Sequence, residues 1–201
     1  MFSKKIKRIS KEYYLNSTEK LARDLLGSVF VKKINQNEYI AAEIVETEAY
    51  LPQGDLACHA AVKKTPRNAP MFESGGILYI YFIYGNHFCS NIVTETEGKG
   101  SAVLIRAAKP LEGISEMQQN RGVLDIRKLC NGPGNFSKAF GLNKGYNYLD
   151  LSDYENSEIQ LFRLNNYPDN EIIQTTRIGI KKHSELPLRF YVRDSEFISR
   201  K

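Results

Sequence analysis

Residues 44–50 read Ile-Val-Glu-Thr-Glu-Ala-Tyr, and this stretch constrains the chain more than any other. Its β-branched and aromatic content predicts a strand. Alternate residues of a strand share a face, so Glu46, Glu48 and Tyr50 fall on one side and Val45, Thr47 and Ala49 on the other. Two carboxylates beside a ring are costly to align unless something uses them. They fit either an exposed edge strand whose acids sit in salt bridges, or a site where a neighbouring like charge and burial raise one carboxylate's pKa so that it can activate water. Residues 36–62 hold five acids and no Lys or Arg in a chain whose net charge is +5. That contrast suggests one surface that holds a polyanion and another that does chemistry on it.

With 201 residues, 42% of them hydrophobic and 25% charged, the chain is long enough for one domain with a sizeable core. No apolar run approaches the roughly 18 residues of a membrane span, and no apolar segment follows Lys4-Lys5-Ile6-Lys7-Arg8 to make a secretory signal. Residues 1–14 read as a basic arm; a nuclear address is the alternative for its lysine cluster. Cys58, Cys89 and Cys130 are odd in number and widely spaced, which argues against a disulfide framework and fits a reducing cytoplasm. His59, His87 and His183 are scattered and Cys-x-x-Cys is absent, so neither a metal nor another cofactor is expected. A pI near 9.0 and an excess of Lys and Arg in residues 1–35 (nine against three acids) and 63–138 (ten against six) suit a phosphate backbone. A soluble protein with many exposed lysines is the plainer reading of charge alone.

Along the chain, residues 16–27 predict a helix with Asn16 and Glu19 at capping-box spacing and Gly27 as its stop. Residues 28–33 and 39–50 predict a hairpin. Residues 51–76, rich in Pro, Gly and polar groups, predict a long functional loop. Strands follow at 77–84, 87–94 and 102–107, then helices at 111–119 and 135–140. Residues 142–171 read as irregular, with strands returning at 175–180 and 188–192. The fold class is therefore α+β: a mostly antiparallel, curved sheet with flanking helices and a protruding β-hairpin.

Several residues could carry chemistry. Tyr79-Ile80-Tyr81-Phe82-Ile83-Tyr84-Gly85-Asn86 is core packing at its simplest. Yet Tyr84 stands at the hairpin tip, where a ring is exposed and could wedge into a base stack. Arg106 follows Val103-Leu104-Ile105 and needs a partner if buried, for which Glu48 is the candidate. Gly132-Pro133-Gly134-Asn135 precedes a helix and reads as a turn or as a phosphate contact.

In order along the chain, Val45-Glu46-Thr47-Glu48-Ala49-Tyr50, His59, Thr65-Pro66-Arg67-Asn68, the tyrosine strand, Asn91-Ile92, Leu104-Ile105-Arg106-Ala107, Pro110-Leu111-Glu112-Gly113, Cys130-Asn131-Gly132-Pro133 and Leu186-Pro187-Leu188-Arg189-Phe190-Tyr191-Val192 resemble the alkyladenine DNA glycosylases, the 3-methyladenine DNA glycosylases of mammalian type. The likeness spans roughly residues 15–195, with blocks in register. It implies that Glu48 is the general base. Arg106 and the main-chain carbonyl of Ile178 would hold the attacking water. Tyr50 and His59 would stack on one face of a flipped base and Tyr81 on the other, and Tyr84 would fill the gap in the duplex. Asn91 would exclude the guanine amino group, while the main chain near Ala57 and His59 would read the base edge. The expected activity is monofunctional hydrolysis of alkylated, and also deaminated, purines from double-stranded DNA by a monomer, with no AP-lyase step. The expected setting is the cytoplasm of a bacterium, at the nucleoid, or the nucleus of a eukaryote.

Asn86 and His87, after Tyr84, depart from the mammalian pattern, and the loop between Ile180 and Pro187 is short. Two other classes remain open at this stage. An RNA or single-strand binder would use Tyr81 and Tyr84 as stacking platforms without needing the carboxylate. A small-molecule nucleoside hydrolase would not need the tip tyrosine or the basic excess.

Overall fold

The computed structural model describes residues 7–83 and 85–200; Tyr84 lies outside them, as does the first part of the basic arm. Nine strands among the described residues form a single, mostly antiparallel sheet with three α-helices, an α+β arrangement. The strands are β1 (Lys7–Arg8), β2 (Ser28–Lys33), β3 (Tyr39–Tyr50), β4 (Leu78–Ile83), β5 (His87–Val93), β6 (Ala102–Glu112), β7 (Ile159–Arg163), β8 (Ile172–Thr175) and β9 (Arg189–Val192). The helices are α1 (Thr18–Asp24), α2 (Ile114–Arg121) and α3 (Pro133–Ala139). The order across the sheet is β1-β7-β2-β3-β6-β5-β4, with β9 joining β3 and β8 joining β9.

β3 organises the rest. Its first half pairs with β2, its second half with β9 over Glu46–Glu48, and β6 runs along its other edge. Ladder irregularities fall between Ile44 and Glu46 and between Glu46 and Thr47, opposite Ala108, Ala107 and Ile105. They leave Val45 and Arg106 as bulged residues, and bulges re-aim side chains. The exposed-edge reading of the two acids is thereby overturned: β3 is interior, and Glu46 and Glu48 are fully buried.

The hairpin of β2 and β3 and the strands β4, β5 and β9 follow the sequence reading closely. Other elements differ. The 16–27 helix is shorter, and its capping box does not form; Asn16 bonds back to the Tyr13 carbonyl. The Thr18 amide is instead capped by the Glu95 carboxylate at 3.2 Å, a tertiary contact that no local pattern encodes. β6 runs on through Pro110 to Glu112, so α2 begins at Ile114 rather than 111. Pro110 is tolerated because β5 flanks β6 only at Ala102–Leu104, and a proline needs one free ladder edge. Gly113, at φ +70, then turns the chain into α2. The stretch at 142–171 contains β7, whose Ile159 and Leu161 alternate inward. The strand expected at 175–180 is displaced to β8, and residues 176–180 form a loop. Of the expected arm, Lys7–Arg8 pairs with β7, and Ile9 and Tyr14 are buried.

The main core lies between the sheet and the helices. Phe30 on β2 meets Phe136 and Phe140, at the α3 end, edge-on with both centroid distances at 5.2 Å. Thr47, on the core face of β3, donates to the Ala22 carbonyl of α1 at 2.7 Å. Phe30→Ala removes the ring that ties β2 to α3. It is expected to cost about 3–5 kcal/mol, read as a lowered urea midpoint with an unchanged m-value.

Candidate active site

A cavity of about 370 Å³ opens where β3, β4, β5 and β6 meet the loops 51–76 and 176–180. That volume is in the usual range for a small-molecule site. Tyr50, Ala57, His59, Tyr81, Asn91, Arg106 and Ile178 all line it. Residues drawn from 128 positions of chain thus converge on one site. Met71, Tyr79, Cys89, Leu104 and Pro133 supply further wall. Pro133 starts α3, and Gly134 beside it leaves the clearance that His87 needs, since a Cβ there would stand 3.0 Å from the imidazole. Gly132 caps α3, and Pro133–Asn135 form its first turn. Tyr84 lies outside the described residues, although the hairpin that carries it is formed and Phe82 near its tip is exposed.

Glu48 lies directly behind the cavity wall, joined to three lining residues. Its Oε1 accepts from the Ile178 amide at 2.8 Å and pairs with Arg106 Nη1 at 3.2 Å. Its Oε2 accepts from the Tyr50 hydroxyl at 2.9 Å. Ile178 thus meets Glu48 through its N–H, a contact beyond the carbonyl role expected of it. Burial raises the Glu48 pKa above the usual carboxylate range. Arg106, the Ile178 amide and the Tyr50 hydroxyl pull the other way, and Glu46 adds a small upward push. The Tyr50 phenol is held well above its ordinary pKa by burial and by Glu48, so it remains a proton donor.

The rings form a connected group. His59 Nδ1 shares a hydrogen with the Tyr79 hydroxyl at 3.0 Å, and the imidazole stands edge-on to Tyr81 at 4.6 Å between centroids. Burial, helped by Arg67, lowers the His59 pKa, which favours a neutral imidazole. Burial pushes the Tyr79 phenol up to about 12. Asn91 donates from its side-chain amide to the Tyr79 carbonyl at 3.1 Å, which fixes the amide's orientation against the wall.

Sequence reasoning missed the supports. Asp55 and Arg177 form a fully buried bidentate pair at 2.6 and 2.7 Å. Asp55 also accepts from the amides of Leu51 and Ala57, so one carboxylate shapes the start of the long loop and fixes Ala57. Arg177 donates to the Ala49 carbonyl and lies 4.7 Å from the centre of the Tyr50 ring, which it backs. Asn68 ties the far part of the loop by donating to the carbonyls of His59 and Lys63. The only local signal for Asp55 was an acid in a loop. For Arg177 it was a charge between Thr176 and Ile178 in a stretch that otherwise read as strand.

Cys58, Cys89 and Cys130 are all buried free thiols. Among the described residues no group of three His, Cys, Asp or Glu could hold a metal ion, and no helix is long and apolar enough to cross a membrane.

Residues 12–196 match the methylpurine-DNA glycosylase family. The chain belongs to that family. It is a DNA glycosylase, a hydrolase of DNA repair that processes alkylated bases. A relative from Francisella tularensis subsp. tularensis (strain SCHU S4) is 44% identical over 182 residues, covering 90% of this chain and 92% of its own length. Others come from Chlorobium phaeovibrioides (41% over 194 residues, 96% of this chain and 97% of the relative) and Chlorobaculum parvum (43% over 197 residues, 96% and 91%). Each of the three is provisionally named a 3-methyladenine DNA glycosylase.

Asp55→Ala leaves the Arg177 guanidinium buried beside Tyr50 without its counter-charge. The expected cost is about 3–5 kcal/mol, measured as the loss in unfolding free energy by chemical denaturation. Asp55→Glu should recover part of it.

Proposed function

We propose that this glycosylase of the methylpurine family takes a damaged purine, flipped from double-stranded DNA, into the tyrosine-lined cavity and hydrolyses its N-glycosidic bond with Glu48 as general base. The observation that carries this reading is the placement of one buried carboxylate, held by Arg106, Tyr50 and the Ile178 amide, against a cavity walled by Tyr50, His59 and Tyr81.

The chemistry follows from the parts. Water adds at C1′ of the sugar, the bond from C1′ to the purine nitrogen breaks, and the base leaves with the electron pair. A cationic alkylpurine leaves neutral, while Glu48 accepts the proton lost by the water. As an anion, Glu48 also stabilises the developing oxocarbenium charge. Extruding the nucleotide costs a few kcal/mol, which stacking on Tyr50 and Tyr81 helps to offset, and Tyr84 at the hairpin tip would fill the space left behind. A cationic base gains a cation–π term that normal bases lack, and a neutral His59 does not repel it. Arg106 and the Ile178 carbonyl hold the water, the Ala57 and His59 main chain reads the base edge, and Asn91 disfavours an exocyclic amino group at the guanine position. Deaminated purines such as hypoxanthine fit the same slot. Among the described residues that line the cavity there is no lysine, in keeping with an abasic product and no Schiff-base strand cleavage. The protein acts as a monomer in the bacterial cytoplasm, at the nucleoid.

The His59 and Tyr81 rings touch edge-on at 4.6 Å. A base between two parallel rings needs about 7 Å, twice a stacking distance. One ring must therefore turn when a base enters.

The deciding experiment is single-turnover excision on duplexes carrying hypoxanthine, ethenoadenine or 7-methylguanine. Glu48→Gln should keep lesion binding and lose about 10²–10⁴-fold in rate. Turnover at the wild-type rate in that variant would refute the assignment of the base, and absence of free base from the wild-type reaction would leave a pure binder. Because the base form is the carboxylate, the wild-type rate should fall as pH drops through the Glu48 pKa, at a pH above the ordinary carboxylate range, as burial requires.

A further inference from the structure

We infer that Glu46 and Ser199 are positioning residues for the reaction, and that the segment 197–200 forms the rear wall of the catalytic site by fixing the Arg106 guanidinium against Glu48. The inference rests on the reading of Glu48 as general base.

The three nitrogens of Arg106 go to three different groups. Nε donates to Glu46 Oε1 at 3.2 Å, Nη1 pairs with Glu48 Oε1 at 3.2 Å, and Nη2 donates to the Ser199 hydroxyl at 3.3 Å. A guanidinium held at all three corners cannot rotate away from the carboxylate it serves. Ser199 closes the ring: its hydroxyl donates to Glu46 Oε1 at 2.9 Å and its amide to Glu46 Oε2 at 2.6 Å. Arg189, on β9, donates from Nε to Glu46 Oε1 at 2.7 Å and from a terminal nitrogen to the Arg200 carbonyl. Glu46 is fully buried, and both arginines are nearly so.

Two acids, Glu46 and Glu48, therefore face two cations, Arg106 and Arg189, in a neutral cluster spread over β3, β6, β9 and the C-terminal segment. The other polar or titratable groups facing Glu48 are Tyr50 on β3, the Ile178 amide and Arg177 on the 176–180 loop, Tyr81 on β4 and Cys89 on β5. Glu46 has two effects on Glu48. Through Nε it orients Arg106, which favours the carboxylate form. As a like charge, and as a competitor for the same guanidinium, it opposes that form. Ser199 has only the orienting effect. The two residues should therefore move the acid limb of the rate profile in opposite directions, which mere structural support for the tail would not do.

The test is single-turnover excision across pH, with lesion-DNA affinity measured in parallel, for wild type, Ser199→Ala, Ser199→Thr and Glu46→Gln. Ser199→Ala should slow excision about tenfold at unchanged lesion affinity and shift the acid limb to higher pH. Ser199→Thr, which keeps the hydroxyl, should restore most of both. Glu46→Gln should shift the limb to lower pH, because the like charge is gone and Arg106 then serves Glu48 alone. An acid limb unmoved in Ser199→Ala, with lowered thermal stability as its only effect, overturns the inference. That variant decides alone if Glu46→Gln does not fold, since it strips no charge from the cluster. Failure of the underlying reading looks different: wild type that releases no base, or Glu48→Gln that excises at the wild-type rate, overturns the general base and this inference with it.

Discussion

The sharing of Arg106 between Glu46 and Glu48 is the constraint on which the architecture turns. Two carboxylates on one face of an interior strand cannot be buried without cations brought to them. β6 brings Arg106 along one edge of β3, and a bulge at that position aims it across. β9 brings Arg189 along the other edge, where β3 has left β2. The exchange of β2 for β9 halfway along β3 is thus tied to the charge it must neutralise. The second half of β3 reaches the cavity at Tyr50, while its first half stays sealed between β2 and β6. An all-apolar β3 would pack at least as well; buried ion clusters of this kind seldom add net stability. What the cluster supplies is a carboxylate of fixed position, whose affinity for protons burial raises against the pull of Arg106.

A second buried pair does for the loops what the first does for the strands. Loops move unless something fixes them. Here Asp55 and Arg177 join the 51–76 loop to the 176–180 loop across 122 positions of chain. The amides of Leu51 and Ala57 converge on Asp55, and the guanidinium backs Tyr50. Ala57 and Ile178 consequently stand in register with strands to which neither belongs. The two pairs also communicate: Arg177 binds the Ala49 carbonyl, one residue after Glu48, and Ile178 donates to Glu48 itself.

How much of this the sequence disclosed follows from the range of each interaction. β2 and β3 were legible because period-2 alternation and a short polar turn are local signals. The residues lining the cavity from strands were legible too, since β-pleat fixes which face they take. α1 kept its apolar stripe but lost its local cap to Glu95, 77 positions away. β7 and β8 are short and half-polar; only Ile159 and Leu161 of β7 alternate inward and no residue of β8 is buried, so the alternation was too weak to register. The charge partners of Asp55 and Arg177 lie 122 positions apart, and Arg189 and Ser199 reach Glu46 across 143 and 153 positions, at which range side-chain identity says nothing without the fold. Glu46 is the instructive case. The sequence flagged it beside Glu48 as one of a pair, but only β6, β9 and the C-terminal segment together make the two acids unequal. One receives two arginines and Ser199, and the other faces the cavity wall.

On the proposed reading of Glu48 as general base, that inequality makes the site asymmetric enough for acid–base chemistry. Glu46 accepts from Arg106, Arg189 and the Ser199 hydroxyl at Oε1 and from the Ser199 amide at Oε2. Glu48 has fewer donors: one guanidinium nitrogen, one amide and one phenol. Two carboxylates of identical chemistry, two residues apart, are thus given different sets of partners. On that reading, the acid with fewer donors, buried beside the cavity, is the one that takes the proton. Exchanging the two donor sets would leave the carboxylate beside the cavity wall held from more sides. On the same reading, the C-terminal segment, placed behind Glu46 rather than behind Glu48, leaves on the cavity side the acid assigned as the base.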